Sequence, residues 1–337
     1  MKWAWAEGCR VRDAEGREYL DLSGGFGVAA LGHSNRLIRD AIVSQPVAHA
    51  LGDLQEAEVT GRLREALPWP ARFGVTGADA VEIGLRTALL ATGKPGIVCF
   101  DGAYHGTTLA AVAASGIARL REPVAPWLPR PVYRFAYGED PGELAADAGC
   151  ILVEPVQARG GARVPPAGFV ETLRARCDDA GAVLVCDEIY CGLGRVGEMW
   201  PSGELPDLRL IGKALGGGLP LSAALFLRRE LVDLWDALPG DTFTHTHLGN
   251  PLACAAALVV LDEVPRLLER IHEAGERLED AGWRGRGLLR SHPGDWRDAL
   301  ERGVIAIPAG AENELLSATP PLTITDAELD EALERLA

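Results

Sequence analysis

Apolar residues recur along the chain in two alternating rhythms. Short runs at 71–75, 96–100, 150–154, 182–187, 208–212 and 223–227 read as strands, and stretches at 78–92, 106–114 and 167–180 carry the helical spacing of elements between them. Strands that are apolar throughout are buried on both faces, so the alternation predicts an α/β fold: a mostly parallel central sheet covered by helices. Ahead of this region, residues 8–22 read as two short strands around an Asp13-Ala14-Glu15-Gly16 turn, followed by a Gly-rich bend from Ser23 to Gly27. Helical spacing returns at 35–43 and 54–67, the second with Leu54, Ala57, Gly61 and Arg64 on a path facing a partner element. From Asn250 a long helix leads out of the sheet with a break near Pro265, and the chain ends in a helix from Asp326 capped by Thr325. The Pro-rich patch from Pro123 to Pro131 reads as an ordered surface loop.

A chain of 337 residues can bury a sizeable core, and one large and one smaller domain is the expectation. Hydrophobic residues at 47% and charged residues at 24% describe an ordered globular protein. The net charge of −15, with no dense Lys/Arg cluster to offset it, argues against nucleic acid and against membrane surfaces as partners. The amino terminus lacks the apolar core of a signal peptide and no run is long enough to span a bilayer, so cytoplasmic residence is the expectation. Seven scattered cysteines, none spaced C-x-x-C, read as reduced thiols with no metal site.

Chemistry collects where the predicted strands end. Thr76-Gly77-Ala78-Asp79 follows the first, Tyr104-His105 lies just past the second, Asp187-Glu188 follows a fully apolar run, and Lys213 follows Leu208–Ile211 with three glycines close behind. A lysine beyond an apolar run is ordinarily a solvated cap, and Tyr-His before a glycine is ordinarily loop packing. Together, however, they match what pyridoxal 5'-phosphate needs. A lysine holds its aldehyde as a Schiff base, a carboxylate keeps its ring nitrogen protonated, a flat side chain stacks on the ring, and helix-start amides take the phosphate.

In these motifs the chain resembles the class III, or ω-amino, group of pyridoxal-phosphate-dependent aminotransferases. The resemblance rests on seven blocks in order: Y-L-D-L-S-G-G-F-G-V-A-A-L-G-H (19–33), T-G-A-D-A-V-E (76–82), F-D-G-A-Y-H-G-T-T (100–108), V-E-P-V-Q-A-R-G-G (153–161), V-C-D-E-I-Y-C-G-L-G-R-V-G (185–197), I-G-K-A-L-G-G-G-L-P-L-S-A (211–223) and T-H-L-G-N-P-L-A-C-A-A-A-L (246–258). It implies a fold-type I transferase whose large domain, 46–249, binds the cofactor beside a smaller α+β domain built from both chain ends, 1–45 and 250–337, and ping-pong transfer of an amino group from an amine, ω-amino acid or amino acid to a 2-oxo acid. Lys213 would form the Schiff base and carry the proton, and Asp187 would pair with the ring nitrogen. Tyr104 would stack on the ring with His105 beside it, and Thr76, Gly77 and Ala78 would hold the phosphate. Thr246 would reach the neighbouring site of a homodimer; its plain alternative is the N-cap of the long helix. Glu154 and Gln157 would lie near the ring hydroxyl edge, with Tyr190 bonding or packing against that hydroxyl.

The chain also departs from the family. Acetylornithine- and ornithine-type members carry Gln-Gly-Glu-Gly-Gly and an arginine before the Pro-Pro-Leu turn; here stand Gln157-Ala158-Arg159-Gly160-Gly161 and Ser317-Ala318-Thr319-Pro320-Pro321-Leu322. Arg159 could clamp a substrate carboxylate in place of the absent arginine or be a solvated loop residue, and Phe26 stands where members place a pocket wall. Thr76, Asp79 and Val81 differ from the usual Ser-Gly-x-Glu-Ala-Asn. Only eight residues precede Cys9, which implies a more open pocket than in members with longer leaders. A mutase, racemase or decarboxylase on the same scaffold, and a non-catalytic cofactor-binding subunit, are alternatives that the motifs leave open. A nucleotide-dependent enzyme is disfavoured, since neither G-x-G-x-x-G nor G-x-x-x-x-G-K-[ST] follows a first strand.

Overall fold

The computed structural model describes residues 2–49, 54–129, 131–240 and 242–337. The chain opens with an antiparallel meander of β1 (Trp3–Glu7), β2 (Arg10–Asp13) and β3 (Glu18–Asp21). Strands β2 and β3 flank the expected turn, which Asp13 pins by accepting hydrogen bonds from Glu15 N and Arg17 N; β1 is an additional strand. The Gly-rich bend follows, with Gly24, Gly25, Phe26 and Gly27 all at left-handed φ, a run that glycines adopt at little cost.

The central sheet holds seven strands: β4 (Ala71–Gly74), β5 (Gly96–Phe100), β6 (Val132–Phe135), β7 (Ala148–Val153), β8 (Val183–Asp187), β9 (Leu208–Ile211) and β10 (Ser222–Phe226), in the order β4-β10-β9-β8-β7-β5-β6. β5, β6, β7, β8 and β9 pair in parallel, whereas β10 runs antiparallel to both β9 and β4. β4 therefore points the same way as the parallel strands, and the ends of β4, β5, β7, β8 and β9 share one edge. The sequence pattern predicted six of the seven. The missed strand, β6, lies at the sheet edge with all four residues only half-buried, so Val-Tyr-Arg-Phe lacks the apolar density of the inner strands.

Helices Gly77–Thr92 and Phe169–Ala180 lie close to the predicted limits, but the element expected at 106–114 is helical only over Leu109–Ala114. The helix predicted at 54–67 runs Glu58–Ala66, buries Val59, Thr60 and Leu63, and leaves Leu54 exposed outside it. The expected facing path is thus replaced by one set by which residues meet helix Pro251–Glu263. That helix is apolar nearly all round and buries Ala253, Cys254, Ala255, Ala256, Ala257 and Val260 in one cluster with Ile38, Leu63 and Leu215. A 3₁₀ turn at Val264–Leu267 breaks it at Pro265, and a second helix, Leu268–Asp280, continues from there.

The remaining strands are β11 (Arg284–Arg286), β12 (Leu289–Pro293), β13 (Val304–Ile305), β14 (Ile307–Ala309) and β15 (Leu315–Ala318). β13 joins the opening meander, parallel to β3, so the two chain ends share a sheet; the others form a separate sheet in the order β11-β12-β15-β14. The last helix, Asp326–Leu336, is capped by Thr325 in a reciprocal box with Glu328. All seven cysteines are buried free thiols, and among the described residues no helix is long and apolar enough to cross a membrane.

Candidate active site

The shared strand edge opens onto a cavity of about 450 Å³ lined by residues from five strand ends, among them Thr76, Tyr104, Glu154, Asp187 and Lys213. At the end of β4, Thr76 caps helix Gly77–Thr92, its hydroxyl accepting from Asp79 N while Asp79 Oδ2 accepts from Val75 N and Thr76 N at 2.9 and 2.8 Å. Asp79 thus serves the turn itself, leaving the amides of Gly77 and Ala78 at a helix start that favours an anion. Glycine keeps this floor open: a Cβ on Gly106, at φ +119, would lie 2.9 Å from Ala78 Cβ. Val81, where the family has a polar residue, is wholly buried among Ile83, Leu85 and Val185 and takes no part in the cavity.

Asp187 ends β8 and is 4% exposed; its Oδ2 pairs at 2.8 Å with Nδ1 of His105, itself buried, and its Oδ1 accepts from Ile189 N. His105 Nε2 is buried without a partner in the described structure. Two residues beyond Asp187, Ile189 lines the cavity and packs against Gly77 and Gly212, where added Cβ atoms would meet it at 3.1 and 3.3 Å. Glu154, after β7, accepts from Tyr104 N at 2.8 Å and Ala158 N at 3.2 Å, which holds the Tyr104 loop against the sheet. Burial raises its carboxyl to about 7, an effect that nearby His105 opposes.

Lys213 follows β9 at φ +40, a left-handed conformation that a lysine adopts only under constraint. Gly217 closes the turn Lys213–Gly216 in left-handed geometry, where a Cβ would meet Ile38 at 2.8 Å. The Lys213 ammonium stands 4.2 Å from the ring centroid of Tyr190. Burial lowers its pKa from the ordinary lysine value, so a larger share of the amine is neutral and nucleophilic. The Tyr190 hydroxyl lies 3.3 Å from Thr319 Oγ1, and Thr319 donates to Ser23 O at 2.8 Å; the Tyr190 hydroxyl is therefore the donor of that pair. Tyr190 presents its ring face to the cavity and its hydroxyl to the carboxy-terminal turn.

The strand edge brings together Thr76, Gly77, Ala78, Tyr104, His105, Glu154, Arg159, Asp187, Tyr190 and Lys213. Phe26 and Thr246 stand outside this cavity, both exposed on this chain. Helix Pro251–Glu263 is capped by Asn250, whose side chain accepts from Leu252 N and Ala253 N, so the capping role considered for Thr246 belongs to Asn250. Gln157 is fully buried and braces the loop, donating to Asp101 O at 2.9 Å, and Ser317 is buried in β15. The sequence reading missed Ile189, Thr107 and Thr108 as lining residues. Ile189 lies in the turn after β8, where its N–H meets Asp187 Oδ1, so strand alternation gave no signal for it.

The donor set suits a pyridoxal phosphate. It offers an amine without an ion-pair partner among the described residues, a buried carboxylate backed by a histidine, an aromatic side chain, and two free amides at a helix start behind a glycine floor. A mostly parallel sheet with these groups on its carboxyl edge defines a fold-type I pyridoxal-phosphate enzyme. The class-III aminotransferase sequence model matches residues 2–282, and the chain belongs to that family, whose members use pyridoxal 5'-phosphate. It is 34% identical to an acetylornithine aminotransferase of Methanopyrus kandleri, with 98% of this chain and 92% of the relative aligned. It is 32% identical to the 4-aminobutyrate aminotransferase of Escherichia coli over 98% of this chain and 91% of the relative. The ornithine aminotransferase of Toxoplasma gondii, in a crystal structure with partial pyridoxal phosphate occupancy, superposes with a TM-score of 0.90 at 26% identity, over 99% of this chain and 89% of that one.

Proposed function

We propose that the cavity is the working site of this aminotransferase, with Lys213 as the covalent anchor of the cofactor and the carrier of the proton. The observation that supports this most is the convergence of Lys213, the Asp187–His105 pair and the Gly77 helix start on one cavity. When bound, the cofactor supplies a carbonyl carbon that takes up an amine and a protonated ring that accepts the electron pair left on a substrate carbon. The chain's residues do the rest. Asp187 holds a proton on the ring nitrogen through its remaining lone pairs, and His105 orients that carboxylate. Tyr104 and Ile189 confine the ring between them, and Thr76, Gly77 and Ala78 bind the phosphate. Glu154 fixes the Tyr104 loop. Lys213 Nζ would take the proton from the substrate carbon and deliver it to the cofactor's aldehyde carbon, on the far side of the shared nitrogen, and the lowering of its pKa by burial favours the neutral amine that accepts the proton.

The amino donor is an amine, ω-amino acid or amino acid and the acceptor a 2-oxo acid, in two half-reactions. We place the enzyme in the cytoplasm, where seven free thiols stay reduced. The large domain spans 46–249 and the small one 1–45 with 250–337. The working form is a homodimer in which Thr246 of one copy reaches the phosphate of the other, in keeping with its exposure here. A donor mixed with the loaded enzyme in the absence of acceptor is expected to bleach the cofactor's long-wavelength absorbance and release one oxo product per site, and a 2-oxo acid then restores the spectrum. Release of carbon dioxide or of a racemised donor, with no oxo product, overturns the reading.

A further inference from the structure

Arg159 lines the same cavity as Lys213, and its charge contributes to the lowering of the Lys213 pKa. Its guanidinium donates from Nη1 to Pro308 O at 2.7 Å and, among the described residues, meets no carboxylate. Burial and the neighbouring Arg119 depress its own pKa, and no carboxylate among the described residues offsets this partly buried charge. Arg119, exposed beyond the cavity lining, donates among the described residues to Ala311 O and the neutral Asn313 side chain and so does not offset the Arg159 charge.

The loop that carries Arg159 is built to hold it still. Gln157 and Arg163 exchange backbone hydrogen bonds at 3.0 and 2.9 Å, Gly310 N donates to Arg159 O at 2.9 Å, and Ser291 Oγ donates to Gly161 O at 2.7 Å. Gly161 sits at φ +103, a conformation that other residues rarely adopt, and this lets the loop dock closely on Leu315 of β15. With one Nη tied to Pro308, the other donors of the fork remain for an anion, and a planar fork matches a carboxylate.

We propose that Arg159 is the carboxylate clamp of this enzyme and that its substrates carry a carboxylate in addition to the reacting amine or oxo group. This rests on the cavity being the transamination site. The clamp explains an uncompensated cation on the wall of a site whose other charges are accounted for by the reaction. The phosphate of the cofactor is met at the Gly77 helix start, which leaves the guanidinium for substrate.

Two measurements test it. The first is the ratio of kcat/KM for 4-aminobutyrate over butylamine, which differ by a carboxylate in place of a methyl group. The second is calorimetric affinity for glutarate, a dicarboxylate that no transamination step consumes. In R159A and R159Q both the ratio and the glutarate affinity are expected to fall about 30- to 100-fold, the range for hydrogen bonds to a charged partner, with partial recovery in R159K. A merely structural arginine would lower turnover of both amines together and leave the ratio in place. An unchanged ratio and unchanged glutarate affinity overturn the clamp, as does a loss confined to cofactor affinity in a spectroscopic titration. Glutarate binding that depends on Arg159 in a protein that turns over no donor would sink the proposed function and leave the clamp standing.

Discussion

Glu154 and Lys213 show how burial prepares single residues for this chemistry. Glu154 is held near 7 by desolvation, so between the ordinary carboxylate range and about 7 the folded chain keeps a proton that the unfolded chain has released. Stability should therefore fall as pH rises through that window. In urea titrations of the cofactor-free protein from pH 5 to pH 8, the wild type is expected to lose about 1–3 kcal/mol more than E154Q across the window. Parallel profiles for the two proteins would refute the titration of Glu154. Lys213 has the opposite sign: its pKa is lowered, so the unfolded chain binds the extra proton and the stability lost to burying the amine is regained as pH rises toward the ordinary lysine value. In the proposed mechanism the same lowering would leave more of the amine neutral for catalysis. K213A is expected to lose the long-wavelength absorbance of the lysine-bound cofactor and at least ~10³-fold in turnover, and a variant retaining wild-type spectrum and rate would remove Lys213 from the mechanism.

At the scale of elements, the site depends on what the central strands bury behind it. Arg209 on β9 is wholly buried, 3.0 Å from Glu188 Oε1, with its guanidinium 4.4 and 5.0 Å from the rings of Trp69 and Trp200. Glu188 also accepts from Ser202 N and lies next to Asp187 in the chain, so this ion pair ties β9 to the segment that carries the Asp187 carboxylate. R209L leaves Glu188 buried without its partner and is expected to cost about 3–5 kcal/mol in denaturant unfolding. E188Q/R209M, which removes both charges, should recover much of that; equal stability of R209L and wild type would show that the pair contributes nothing. A central-strand arginine is hard to read from sequence, because its partners Glu188, Trp69 and Trp200 come from distant segments and only the fold surrounds it.

For the whole molecule, the decisive question is whether one chain completes its own site. Thr246 is exposed and lies outside the cavity of its own chain, while the rest of the proposed cofactor contacts are in place. Hybrids distinguish the two arrangements. If Thr246 acts across a dimer, mixing K213A with T246A subunits yields one site with both residues intact, and activity is expected to return to roughly a quarter of the wild-type level for random pairing of equal amounts. If Thr246 acts within its own chain, the mixture should show no gain over the average of the separate variants.

What the sequence determined by itself was the periodic part of the molecule and the local chemistry attached to it. Inner strands such as β8 are apolar because both faces are covered, so their ends, and with them Asp187 and Lys213, could be located from pattern alone. Thr325 as a cap and Pro265 as a break are local effects and were equally legible. Tertiary structure decided whatever depends on partners remote in the chain. The edge strand β6 forms because β5 lies beside it, and Asn250 is the cap where Thr246 was considered, because the chain turns into the helix only there. The half-buried setting of Arg159, against Pro308 and facing Lys213 across a common cavity, likewise exists only once both chain ends have packed against the central sheet. A charge acquires its role from what surrounds it, and that surrounding is assembled by long-range packing rather than by neighbours in sequence.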